Sequence, residues 1–239
     1  MQLARARALS DAGRSSEAVA IWASLAKAGE SRAQTNLGAC LANGHGVASD
    51  LAAARHWLQL GAEAGDALGQ RNLATLLLGI DPAAAATWYR RAAEQGDAAS
   101  QDQLSRMRLA GNGVTQDLAE ARDLAERAAR QGVVEASSRL GTMCHEAQGG
   151  PRDPAQAAHW WRVAAEAGGA DAAARLGAAL HLGQGVTADQ VGAMAWLIVG
   201  ARRHSALVRP FFSRVEERLT EADRGRAREL AASWTTRES

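Results

Sequence analysis

The sequence predicts an all-α fold, a right-handed α-solenoid of stacked antiparallel helix pairs with a C-terminal cap. Three observations predict it. Leu37-Gly38 recurs as Leu73-Ala74, Leu104-Ser105, Leu140-Gly141 and Leu176-Gly177. An alanine three residues before a bulky residue recurs in step, as Ala18/Ile21, Ala54/Trp57, Ala85/Trp88, Ala121/Leu124, Ala157/Trp160 and Ala193/Trp196, and the bulky residues lie 36, 31, 36, 36 and 36 residues apart. Such a period marks an array in which each unit buries its apolar face only on its neighbours. The third observation is composition: 47% hydrophobic residues, rich in the strong helix former alanine, with only 4 prolines.

The elements follow in order. Residues 1–32 form an N-terminal helix pair with a short turn, Ala12-Gly13-Arg14-Ser15-Ser16. Residues 33–66 show one full repeat. A first helix over about 33–43 carries Ala33, Leu37, Gly38 and Leu41 at helical spacing. Gly38 weakens the helix by roughly 1 kcal/mol, which close approach of a neighbouring helix accounts for. Gly44-His45-Gly46-Val47 ends that helix, because glycine takes the left-handed C-cap conformation. Asp50 caps a second helix over about 51–64, which Gly65-Asp66 stops.

The same features mark repeats at 67–97, 98–133, 134–169 and 170–204. The glycine loop recurs as Gly111-Asn112-Gly113-Val114 and Gly183-Gln184-Gly185-Val186, and in degenerate form as Ala147-Gln148-Gly149-Gly150. The cap aspartates are Asp50, Asp81, Asp117, Asp153 and Asp189, and the 67–97 repeat has lost five residues in the loop before Asp81. Gly29, Gly65, Gly96, Gly132 and Gly168 close the units, and His204 stands at the next such position, where the pattern ends. Residues 205–239 form the cap, with Leu219, Ala222, Arg226, Leu230 and Trp234 as its expected stripe and Phe211-Phe212 as core. Trp57, Trp88, Trp160 and Trp196 are expected in the core, with Tyr89 and Trp161 partly exposed. Cys40 and Cys144 fall three repeats apart, too far for a disulfide, and read as small buried apolar residues.

A formal net charge of +1 advertises neither nucleic acid nor an anionic membrane as partner, and no apolar run approaches the roughly 20 residues of a membrane span. The N-terminus enters a helical pattern without a signal-peptide core, which favours the cytoplasm. The alternative is a periplasmic or exported protein cloned without its leader. Lys27 is the only lysine, which reads as the codon bias of a GC-rich bacterial genome.

The pattern Ala-x3-Leu-Gly, Gly-x-Gly-Val, Asp, Ala-x2-Trp, Ala-Ala, Gly resembles the Sel-one-like repeat, a longer-looped relative of the tetratricopeptide repeat. The likeness covers about residues 33–204, is best at 33–65, 136–168 and 172–201, and is weakest in the third copy, where Ser105 and Arg108 replace the usual residues. The resemblance implies a non-catalytic scaffold or adaptor that holds a partner protein or peptide in a concave groove, in a regulatory, chaperone-like, toxin-neutralising or secretion-associated role. It implies no cofactor. The cysteine pairs of some exported members are absent.

By similarity to tetratricopeptide grooves, the first helices line the inner curve. The residues before the motif leucine, Asn36, Asn72, Gln103, Arg139 and Arg175, form a polar track. Thr35, Arg71, Asp102, Ser138 and Ala174 run beside it, Arg106 and Thr142 lie a turn further on, and His145 and His181 form a last line. Such a track can hydrogen-bond an extended peptide, with its arginines available to carboxylates.

His145 and His181 share a repeat position and together could approach one metal ion, but a third ligand is missing, so no metal site is assigned. Gly44-His45-Gly46 joins helix to helix and lacks the lysine of a phosphate loop. His145-Glu146 has no second histidine at zinc-protease spacing. Two alternatives to the scaffold stay open: a hydrolase or metal-dependent enzyme built around His145 and His181, and a homotypic assembly module.

Overall fold

A computed structural model describes residues 1–235, so the last four residues of the expected cap lie outside the described part. Every regular element among the described residues is a helix. The chain divides into two units, residues 1–116 and 117–239.

The first unit holds α1 (Gln2–Asp11), α2 (Ser15–Lys27), α3 (Ser31–Asn43), α4 (Leu51–Glu63), α5 (Ala67–Leu77), α6 (Pro82–Glu94) and α7 (Ala98–Ala110). Each helix packs on the next in sequence. The second unit holds α8 (Leu118–Arg130), α9 (Val134–Glu146), α10 (Pro154–Glu166), α11 (Ala170–Leu182) and α12 (Gln190–Arg202). A 3-10 turn (Ala206–Val208), α13 (Arg209–Glu216) and α14 (Glu221–Thr235) complete it. Here too α8 to α12 pack in succession, and α14 lies on α12. The architecture is the all-α repeat solenoid class that the sequence predicts.

The punctuation acts as expected. The side chains of Asp50, Asp81, Asp117, Asp153 and Asp189 each accept a hydrogen bond from the backbone N–H three residues on, at 2.9–3.0 Å. Gly44, Gly111 and Gly183 end α3, α7 and α11 in the left-handed conformation, with φ of 71°, 70° and 65°. Ala147 does the same at the end of α9 with φ 59°.

The second glycine of each loop ties one repeat to the one before. A Cβ on Gly46 would collide with the Ser15 carbonyl group at the start of α2, on Gly113 with Pro82 of α6, on Gly149 with Leu118 of α8, and on Gly185 with Pro154 of α10. The shortened 67–97 repeat has no such loop to lay over the start of α4, and Leu51 there is 58% exposed.

The core differs from expectation by one register position. Trp57, Trp88 and Trp160 are half-buried. The residue after each points inward instead: Leu58, Tyr89 and Trp161 are 1%, 1% and 6% exposed. The reason is helical geometry. With Ala54, Ala85 and Ala157 fully buried, the position four residues on completes the inward stripe, and the position three on falls at its edge. Trp196 does sit in the core, because the Trp234 ring of α14 stacks on it at 4.2 Å and 21°. The capping stripe is likewise displaced. Ala227 and Ala231 are fully buried and Trp234 half-buried, while Ala222, Arg226 and Leu230 are exposed. Phe211 and Phe212 are half-buried rather than core. Cys40 and Cys144 are buried free thiols.

Candidate functional site

Helix packing fixes which polar residues remain available. The motif glycines let the second helix approach the first: a Cβ on Gly38 would meet Leu58 Cγ at 2.7 Å, and one on Gly177 would meet Leu197 Cγ at 2.9 Å. Of the residues two positions before the motif leucines, Thr35, Asp102 and Ala174 are buried rather than lining a groove, while Arg71 and Ser138 are half-buried. Thr35 is wedged where a Cβ on Gly61 or Gly69 would meet its Oγ1 at 2.5 or 2.6 Å.

In the first unit the expected track is broken up. Asn36 is half-buried and lines a hollow of about 730 Å³ with Arg7, Ser10, Trp22 and Arg32. Asn72 faces another hollow of about 340 Å³ with Ala39, Asn43, Leu58 and Thr75. Arg71 is held within the fold: its Nη1 donates to Asp97 Oδ2 at 2.8 Å. Gln103 is half-buried and Arg106 exposed. Tyr89 is hydrogen-bonded through its hydroxyl to Thr75 Oγ1 at 2.9 Å. Burial pushes the Tyr89 phenol above its ordinary pKa, against the opposing effects of the Thr75 hydrogen bond and of Arg71 and Arg106.

In the second unit two expected residues come together. Arg139 of α9 and Arg175 of α11 both line a groove of about 630 Å³, together with Ser138 and Thr142. Glu135, Asp171, Arg203, His204 and Ser205 complete its walls. Ser205 Oγ donates to Asp171 Oδ1 at 2.7 Å, so that carboxylate is already engaged. The two histidines do not join this groove. His181 is 7% exposed, with Nδ1 at 2.7 Å from Gln190 Oε1 and its ring against Phe211. The His145 ring lies 5.5 Å from that of Trp161. His181 is thus corrected from a groove residue to a buried one, because Gln190 at the start of α12 satisfies it. Among the described residues, no three His, Cys, Asp or Glu side chains converge as a metal-ligand set.

The geometry agrees with a comparison of the sequence with family models, in which the Sel1 repeat matches residues 31–66, 67–97, 98–133, 134–169 and 170–204. The chain belongs to the Sel1 repeat family. Sel1 repeats generally form a non-enzymatic, protein-interaction fold. A Sel1 repeat protein from Oxalobacter formigenes is similar, with 22% identity over 98% of this chain and 96% of that one and a TM-score of 0.82. A second similar structure is c5321, a protective antigen with an SLR fold from uropathogenic Escherichia coli strains. It is 24% identical over 92% of this chain and 56% of that one, with a TM-score of 0.62. At these identities the likeness is one of fold. No curated protein matches the chain.

Three of the Sel1 repeats also carry a buried glutamine outside the Leu-Gly motif. Gln34, Gln70 and Gln101 are buried, and each Nε2 donates to a carbonyl at the end of the preceding helix, Ala26, Ala62 and Ala93, at 3.1–3.3 Å. They follow the same 36- and 31-residue spacing as the motif, so their periodicity was available as a signal. Glu135, Asp171 and Arg203 lie near helix ends, away from the mid-helix positions on which the track was built. Only the replacement of glycine by His204 marks that region in the sequence.

Proposed function

We propose that this chain is a non-catalytic adaptor that holds a partner protein or peptide against its first helices, with the groove of the second unit as the principal contact. One observation supports this most: Arg139 and Arg175, equivalent residues of successive repeats, line one groove with the hydroxyl residues Ser138 and Thr142. Two guanidinium groups in register can bind successive acidic or carbonyl groups of an extended segment, and the hydroxyls add adaptable donors and acceptors. Asn36, Asn72, Gln103 and Arg106 extend the reading to the first unit as secondary contacts. Arg71, tied to Asp97, acts through the fold. Neither nucleic acid nor membrane insertion is part of the proposed role. Among the described residues, no helix is long and apolar enough to cross a membrane. The proposed compartment is the cytoplasm.

The test is affinity capture from the source organism followed by mass spectrometry, comparing the intact chain with Arg139→Ala/Arg175→Ala and with Asn72→Ala. All three proteins are first checked for equal helicity and unfolding midpoint. A protein retained by the intact chain, lost by the double arginine variant and only weakened by Asn72→Ala is the expected result. Equal retention by all three moves the binding surface off the groove.

A further inference from the structure

His204 occupies a backbone conformation that the other repeats give to glycine. Gly29, Gly65, Gly96, Gly132 and Gly168 close their units with φ of 88°, 89°, 89°, 87° and 102°, and His204 closes the last with φ 65°. At those five glycines an added Cβ meets nothing within 4 Å. The requirement there is conformational, not one of space. A histidine therefore fits, but at the energetic penalty of left-handed backbone. Its side chain is exposed, so packing in the fold does not offset that penalty. Ala147, the other non-glycine with positive φ among the described residues, brings no polar group to its site. Strain retained by an exposed polar residue points towards a role outside the fold itself.

The place of His204 gives that role a chemistry. It stands in the wall of the second-unit groove with Arg139, Arg175 and Arg203. The same walls carry two carboxylates, Glu135 and Asp171; Asp171 accepts from Ser205, and Arg203 Nη1 donates to the Ala165 carbonyl at 3.0 Å. The Arg175 side chain is half-buried and makes no ion pair among the described residues. Partial burial strengthens the attraction of such a group for an opposite charge.

We propose that this groove takes a carboxylate-rich segment of the partner protein, with Arg139 and Arg175 binding its acidic side chains and His204 donating an imidazole hydrogen bond to it. The proposal rests on the groove reading given above. It assigns His204 as a contact residue whose strain is maintained by binding and not by folding.

The experiment uses fluorescein-labelled hexaglutamate as probe and hexalysine as control, followed by fluorescence anisotropy at low salt on the full chain. Hexaglutamate binds and hexalysine does not. Arg175→Ala weakens binding by about 10-fold or more, as expected for loss of a charge-assisted hydrogen bond. His204→Gly weakens it by about 3- to 10-fold while raising the unfolding midpoint by about 1–4 °C. His204→Asn, which tolerates positive φ and keeps a donor, retains most of the affinity. The proposal is overturned by absent hexaglutamate binding, by equal binding to hexalysine, or by undiminished binding in His204→Gly or Arg175→Ala. If hexaglutamate fails while partner capture still depends on Arg139 and Arg175, the acidic occupant falls and the groove reading stands. If both fail, both fall.

Discussion

The Trp161 indole lies on the backbone of Gly141, so close that a Cβ on the glycine would meet Cδ1 at 2.5 Å and Nε1 at 2.6 Å. The same relationship joins Gly38 to Leu58 and Gly177 to Leu197, but Trp161 presents the largest side chain of the three. Overpacking of this kind destabilises by about 1–3 kcal/mol, because a rigid ring cannot step aside without moving the helix that carries it. Gly141→Ala is therefore expected to lower stability by about that amount. Trp161→Leu in the same chain should recover part of the loss, since a flexible leucine side chain can give way where the rigid indole cannot. The indole Nε1 has no hydrogen-bond partner, so the exchange sacrifices no bond. Urea unfolding of both single variants and the double variant measures the coupling. Strict additivity would show that Gly141 is not there to admit the indole.

The glycines of one loop should differ in their sensitivity to substitution. Gly183 and Gly185 both have positive φ, 65° and 73°. An added Cβ on Gly183 meets its nearest neighbour, Ala188 Cβ, at an ordinary 3.5 Å, whereas one on Gly185 is driven into the Pro154 carbonyl group. Gly183→Ala then carries only the backbone penalty of about 1–2 kcal/mol. Gly185→Ala adds a clash with a backbone that cannot give way, costing about 1–3 kcal/mol more. Thermal unfolding of the two variants checks the order, and equal losses would mean that the loop does not hold α10 in place.

Much of this fold was legible because its signals are local. The helix-ending glycines and the cap aspartates act through backbone conformation and a bond three residues away, so Gly44 and Asp50 could be read without a tertiary structure. Burial was less legible. Ala54 at a buried position is compatible with an inward residue either three or four positions later, and only the neighbouring helices choose Leu58 over Trp57. Two residues at the position three on are buried as well: Leu124 in α8, and Trp196, on which α14 returns to stack Trp234. The groove was legible where equivalent positions stay on one face, as for Arg139 and Arg175. It was not legible at His181, whose satisfaction by Gln190 depends on how α11 meets α12.

The aspartate caps offer a uniform test of local contributions. Asp50 Oδ1 accepts from the Ala53 N–H and Asp153 Oδ1 from the Gln156 N–H, both at 2.9 Å. Alanine at either position leaves a helix N–H without its partner and is expected to lower stability by about 1 kcal/mol. Asparagine, which caps nearly as well, should lower it by only a few tenths of a kcal/mol. Chemical denaturation of the four variants reports these differences. An Asp153→Ala variant as stable as the parent would mean that Pro154 alone, at the first position of α10, fixes where that helix begins.

The buried thiols predict an alkaline limit to stability. Burial pushes the Cys40 thiol up from its ordinary pKa, and it does the same at Cys144, where the nearby Arg122 opposes the effect and Asp153 and Glu126 add to it. A thiol whose folded pKa lies above the unfolded one is more readily ionised after unfolding. Its contribution to stability is therefore complete below the unfolded pKa, about 8.5, and is lost as pH rises through the folded pKa. The urea midpoint should be level near neutrality and fall in alkali. Cys40→Ala/Cys144→Ala should flatten the first part of that fall, and Tyr89→Phe, which removes the raised phenol, should flatten the part at higher pH. In the native protein at neutral pH, a thiol reagent such as dithionitrobenzoate should react only at the rate of local opening and be accelerated by urea. Immediate reaction of Cys144 in the folded chain would contradict its burial and remove this source of the alkaline limb.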